Sequence, residues 1–421
     1  MLACCAIGVL WSAAVLLPLW GSSAGGDAQP HADGDGRTVA RPGHEGDPES
    51  VADGAPLGEQ VNASPSNYQG TPVVQACNLL TVTDLGRLGL PLSANPQPNI
   101  ATFERTYIGS DGSGPLRTNK VGIAHAQGFA LNKCGYSFAA ADGSSRDSIR
   151  IAVSQQPYQP GAADMNGRIG AQQFGDVQVL SHLRAASDPD DNRGDVVMWI
   201  NGVVAELDVT LTPAGFGAKA HDIATTVAAN LQAQAAAPTG PSTITYDRTT
   251  FPADVLQPCP LLTPEAFTAV YHTELSPLVV EQPATAVGQT TFSDQHDSRN
   301  YNYVTVNCSR GTGQEDPGGR RALRLEITSY LSEQPARHNV AFGREQHNGK
   351  PVGTRLGDEA VVLDDASMPG AAGVLVIRKG RFVLELSARD SDHADGLTPE
   401  QATTMLVPAA EVILRNLGDR K

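Results

Sequence analysis

Basic side chains are scarce in this chain. Lys and Arg number 30 against 45 Asp and Glu, a formal net charge of −15. A surface built to hold nucleic-acid phosphates gathers Lys and Arg on one face, so nucleic acid is set aside as a partner. Recognisable catalytic signatures are also missing: there is no His-Glu-x-x-His, dinucleotide fingerprint or kinase motif. The glycine-rich stretch 109–115 has Pro115 where a phosphate loop needs Lys and then Ser or Thr, so it reads as a turn. Short Cys-x-x-Cys spacings are absent, which argues against a structural zinc site. No catalytic, cofactor-binding or metal-ligating residue is assigned.

What is present is a repeated phrase. Gln75-Ala-Cys77-Asn-Leu79-Leu80-Thr81 returns as Gln257-Pro-Cys259-Pro-Leu261-Leu262-Thr263, 182 positions later (259 minus 77). Cys134 matches Cys308, and the alternating run Ile149 to Val153 matches Leu323 to Ile327. Gly175-Asp176 matches Gly357-Asp358, and the turn glycine Gly202 matches Gly380. Landmarks that keep their order while their spacing drifts by a few residues indicate a duplicated unit whose loops vary in length. The expected organisation is a membrane anchor or signal segment over 1–21, a disordered acidic linker over 22–70, and repeats over 71–237 and 241–421, each folding independently.

Four cysteines fall as one pair per repeat, and the simplest reading joins Cys77 to Cys134 and Cys259 to Cys308. Buried thiols and a metal site are the alternatives. In the loop-entropy model each crosslink contributes about 4 kcal/mol, and disulfides place the globular part in an oxidising compartment. Residues 3–20 carry no charge and reach the lower limit for a membrane span, although no basic flank precedes them. An anchor is favoured over a cleaved signal. The stretch that follows is rich in Gly, Pro, Asp and Glu and poor in large apolar residues, a composition that cannot bury a core. Its Asp33-Gly-Asp35-Gly piece reads as solvated linker rather than a calcium loop.

Within the repeats, Thr81 with Asp84, Thr263-Pro264-Glu265 and Thr398-Pro399-Glu400 read as helix starts. Period-2 alternation predicts strands at 100–107, 128–138, 148–154, 174–183, 301–309 and 323–327, and Asn201-Gly202 predicts a hairpin between 196–200 and 203–211. A second hairpin is expected from 374–377 and 381–386. Helices are expected at 218–237 and after Thr398, the last one kinked or divided by Pro408. Helices at both ends with strands between define an α+β class, two similar domains each built on an antiparallel sheet.

The remaining polar clusters are weak. Asp188 to Asp195 alternates acids, but its glycine is one place late for a calcium loop and its twelfth position is Trp199, so it reads as a solvated loop. Asp294-Gln295-His296-Asp297 holds a base and an orienting acid in sequence, yet in a polar turn. Gly175-Asp176 and Gly357-Asp358 are explained by a turn shared by both repeats.

The Cys-x-Leu-Leu-Thr opening, the mid-domain second cysteine, the Leu356-Gly-Asp-Glu-Ala360 strand entry and the closing helix resemble a family of actinobacterial envelope lipoprotein-type domains of unknown function. The resemblance spans both repeats and is better in the second. It implies an exported, membrane-attached, disulfide-bearing domain and no activity. The chain departs from the family in lacking a lipidated cysteine after its apolar run. The expected role is therefore a membrane-anchored, extracytoplasmic binding or sensing module of the cell envelope. It would recognise an unidentified envelope ligand or protein in a groove of one repeat or a cleft between the two. A structural partner of another envelope protein and an unrecognised envelope hydrolase are the alternatives.

Overall fold

The computed structural model describes residues 57–68, 70–90, 92, 102–109, 111, 132–139, 146–155, 171–181, 193–211, 216–293, 298–312, 321–364, 373–389 and 397–418. The segment 1–21 and the linker as far as residue 56 lie outside them. No helix among the described residues is long and apolar enough to cross a membrane.

The first repeat runs through α1 (Val82–Arg87), β4 (Thr102–Ile108), β5 (Asn132–Ala139), β6 (Arg146–Gln155), β7 (Ala171–Phe174), β8 (Val177–Ser181), β9 (Arg193–Ile200), β10 (Val203–Thr210) and α2 (Phe216–Ala236). It is preceded by β1 (Leu57–Asn62), β2 (Asn67–Tyr68) and β3 (Thr71–Pro72), and β11 (Gly240–Tyr246) follows it. The second repeat comprises α3 (Pro264–Tyr271), β12 (Leu278–Gln282), β13 (Gly288–Ser293), β14 (Ser298–Gly311), β15 (Ala322–Tyr330), α4 (Glu333–Gln346), β16 (Lys350–Pro351), β17 (Glu359–Val362), β18 (Leu375–Lys379), β19 (Phe382–Arg389) and α5 (Pro399–Leu417). The fold is α+β, as the alternation of strand signals flanked by helix caps requires.

Local chemistry sets the boundaries. Thr81 and Asp84 close a reciprocal capping box on α1, and Thr398 and Gln401 do the same on α5. Thr263 accepts from the Ala266 N–H, with Pro264 in the first turn of α3. Asn201 and Gly202 both take positive φ, 49° and 77°, the turn that matches strand twist in a two-residue hairpin. Pro408 does not divide α5. It sits on the solvent side, where the carbonyl that loses its N–H partner can be hydrated.

One antiparallel sheet runs through both repeats, in the order β16-β17-β18-β19-β15-β14-β12-β4-β5-β6-β10-β9-β8-β7, with β13 added alongside β14. From the centre outward each repeat contributes its strands in the same sequence, so a pseudo-two-fold axis lies between β4 and β12. The register locates it. Arg105 faces Cys134, Glu281 faces Cys308, and Arg105 faces Glu281. The two residues are thus equivalent in the duplication and meet each other on the axis.

The two expected repeats are joined edge to edge in one sheet, within a single compact unit. Either repeat alone would present β4 or β12 as an open edge, and pairing removes both. The expected spacer is also shorter than 22–70. Leu57–Asn62 forms β1, which pairs with β11 across the supposed boundary at 238–241.

Alternation places the core on one face of the sheet. Cys134, Tyr136, Ile149, Ile151, Val153, Leu207 and Val209 pack under α2 through Ile223, Val227 and Leu231. Their counterparts Cys308, Leu323, Leu325, Ile327, Leu384 and Leu386 pack under α3 and α5 through Phe267, Leu406 and Ile413. The helix α4, which has no expected counterpart in the sequence reading, covers part of the other face in the second repeat. There Ala336 and Val340 lie on Tyr330, Val376 and Val383.

Candidate functional site

The four cysteines form the two bonds expected, Cys77–Cys134 and Cys259–Cys308, with Cα separations of 5.0 and 5.2 Å. Each ties the segment entering the first helix of its repeat to the strand beside the junction, one strand from the axis. In the first repeat that segment is also clamped by Asn132, whose Oδ1 accepts from the Ala76 N–H and whose Nδ2 donates to the Val74 carbonyl. The Tyr136 hydroxyl donates to the Leu80 carbonyl at 2.5 Å. Of the weak clusters, Asp294 to Asp297 and most of Asp188 to Asp195 lie outside the described residues. Gly175 and Gly357 adopt φ of 58° and 59°, which fits the shared-turn reading.

The junction holds a buried charge network. Side chains of Arg105 and Glu281 are only 6% and 3% exposed, yet they meet at 2.5 and 2.8 Å. Arg105 Nη1 also donates to the Ser242 carbonyl at 2.6 Å, and the Ser242 hydroxyl donates to Glu59 Oε1. The other Glu59 oxygen accepts from the Val82 N–H at 2.8 Å, capping the start of α1 from strand β1. Burial opposes the charge on Arg105, and the neighbouring Glu281, Tyr107 and Glu59 overcome it, so its pKa is raised. Burial likewise pushes the Tyr107 hydroxyl far up, with Arg105 stacked 5.0 Å from its ring centre. On the same core-facing side, Arg310 grips Asp111 with both terminal nitrogens, at 2.5 and 2.6 Å. Burial raises the Asp111 carboxyl, but the Arg310 bonds outweigh it and hold the group below its usual range. Each charged member is committed to a protein partner, so this network is structural.

The opposite face of the central strands is polar and only partly exposed. On β14 and β15 it presents Thr305 and Thr328, hydroxyls 2.9 Å apart, then Asn307, Arg324 and Glu326. Arg324 donates to Asn307 Oδ1 at 2.8 and 3.1 Å and to Glu326 at 2.8 Å. Glu385 lies directly across from Glu326 on β19. Burial pushes the Glu326 carboxyl up, against the pull of Arg324 and Asn307. In the first repeat Lys133, Arg150, Ala152 and Glu206 stand at the positions of Asn307, Arg324, Glu326 and Glu385, with Asp208 opposite Arg150. By register Arg150 corresponds to Arg324, and Glu206 to Glu385. Where the repeats join, Gln282 donates to Glu104 at 2.7 Å across the same face.

This surface offers rows of fixed donors and acceptors. Among the described residues there is no group of three or more His, Cys, Asp or Glu placed to hold a metal ion. Alternation along 323–327 puts Arg324 and Glu326 on the polar face, while no motif points to the junction residues. A signal existed for both. Arg105 shares its alternation with Phe103 and Tyr107, and Glu281 with Val279, so each is a charge at a core-facing position. No family model, curated protein or solved structure matches this chain.

Proposed function

We propose that the protein is an extracytoplasmic binding module of the cell envelope, held at the membrane by its N-terminal segment, without catalytic activity of its own. The observation that supports this reading is the polar sheet face, which carries an Arg and a Glu at equivalent places in both repeats. Five inter-strand steps separate β6 from β15, so with strands about 4.8 Å apart the two Arg positions are about 24 Å from each other. The pseudo-two-fold turns both copies toward the same side. One extended or two-fold symmetric ligand can thus engage both and gain avidity if its spacing fits. The two disulfides favour the oxidising compartment that this placement requires.

The test is capture from fractionated envelope glycans, lipids and proteins on the immobilised full chain. It compares wild type with Arg150→Ala, alone and combined with Arg324→Gln, beside esterase, amidase and glycosidase assays. Capture that falls with the first substitution and further with the second, at unchanged thermal midpoint, supports the reading. Capture indifferent to both substitutions, or turnover by the wild type, overturns it.

A further inference from the structure

We infer that the edges of β4 and β12 form a two-fold interface whose partner choice is set by the charges on its axis: repeat one accepts repeat two and rejects a copy of itself. An edge-to-edge pairing about a two-fold axis brings equivalent positions together. If two first repeats paired in this way, Arg105 would face Arg105; two second repeats would set Glu281 against Glu281. The observed pairing sets Arg105 against Glu281, with both side chains nearly fully buried. Like charges so placed disfavour self-pairing by at least ~100-fold, whereas the mixed pair satisfies both groups. Duplication makes this possible, because a chain paired with an identical chain cannot put opposite charges on its own axis.

Each repeat is otherwise largely self-contained, and the Arg310–Asp111 pair, which also crosses the junction, adds to the preference for the mixed pair. Both disulfides close within a repeat, and each repeat has its own buried core. The strands flanking the axis are short, with four paired positions between β4 and β12. Few backbone bonds therefore compete with the charge pair in deciding the partner. Ser242 and Glu59 add a second preference, since they complete the shell around an arginine and not around a carboxylate.

The experiment starts from the folded full chain with a protease site introduced in the exposed turn at 247–250, so that cutting removes the advantage of a shared backbone. The nicked protein is unfolded in urea with its disulfides intact and then refolded. Its products are sorted by size and identified by mass. Wild-type halves are expected to return as mixed pairs only. In Arg105→Met/Glu281→Leu carrying Arg310→Met/Asp111→Asn as well, where no ion pair between the repeats remains, self-pairs should rise at least ~10-fold. Self-pairing of wild-type halves overturns the proposal, as does a neutral variant that refolds with mixed pairs alone. If the neutral variant does not refold, the wild-type mixture decides: any self-pair among its refolded products refutes the rejection.

Discussion

Replacing Glu281 by Leu should be among the most damaging single changes in the molecule, and replacing Arg105 as well should undo most of the damage. In the wild type the Arg105 guanidinium is 6% exposed and holds two short bonds to Glu281 and one to the Ser242 carbonyl. The Glu281→Leu change would remove the carboxylate in direct contact and leave the cation in a water-poor site. Losing one partner of a buried pair costs about 3–5 kcal/mol, because the remaining charge is uncompensated. The Ser242 bonds survive, which sets the expectation near the lower end, about 3 kcal/mol. With Arg105→Met added the stranded charge is gone, and apolar replacement of a buried pair is commonly neutral or stabilising. The double variant should then lie within about 1 kcal/mol of wild type, a coupling of at least about 2 kcal/mol. Urea unfolding with disulfides intact, extrapolated linearly, measures all four corners of the cycle. A double variant as unstable as Glu281→Leu alone would refute the reasoning, since the cost would then come from lost packing rather than a stranded charge.

Removing either disulfide should have similar consequences, because the loops differ little: separations of 57 and 49 residues both give about 4 kcal/mol in the chain-entropy model. Cys77→Ala/Cys134→Ala and Cys259→Ala/Cys308→Ala, compared in the same urea series, check this, and a difference above about 2 kcal/mol contradicts it. Glu326→Gln should stabilise the protein at pH 8. The folded carboxyl titrates above its ordinary value of 4.5, so its ionised form costs stability above that value, and the cost vanishes once both states are protonated. The gain over wild type should shrink toward zero as pH falls to 4, and a variant less stable than wild type at pH 8 contradicts the sign. Gly357→Ala should destabilise more than Gly175→Ala, though both adopt nearly the same positive φ. A Cβ at 357 meets the Arg378 carbonyl at 2.4 Å, backbone that cannot swing away, whereas one at 175 meets the end of the Gln232 side chain. Thermal midpoints in the opposite order refute it.

Local features were the legible ones. Caps at Thr81, Thr263 and Thr398 and the Asn201-Gly202 turn all depend on residues within a few positions of each other. The structure places them as their chemistry dictates. The junction depends on strands 176 residues apart (281 minus 105), and no local pattern names the partner of an edge strand. Yet the need for a partner was written in the alternation: a strand reading Phe103-Glu104-Arg105-Thr106-Tyr107 puts a guanidinium among core residues, and such a group must find a buried acid. The same alternation, read one residue over along 323–327, puts Arg324 and Glu326 on the polar face. It did not show that the face continues through the first repeat.

Composition misjudged the chain's approach to the first repeat for a related reason. Around residue 60 the sequence is polar and poor in large apolar side chains, which describes a segment that cannot build a core but not one that can join an existing sheet. β1 needs little apolar area of its own. Its backbone is satisfied by β11, Leu57 reaches the first core, and the carboxylate of Glu59 is held by the Ser242 hydroxyl and the Val82 N–H. An acid counted as one more repelling charge in a spacer is instead part of the shell around Arg105. Glu59→Gln would keep the shape but weaken its hold on the Ser242 hydroxyl and the Val82 N–H, a loss of about 1–2 kcal/mol on the scale of charge-assisted bonds. The change should appear as faster hydrogen exchange at β1 and at the first turn of α1 together, because one carboxylate serves both. Exchange that rises at only one of the two would show that they are held separately.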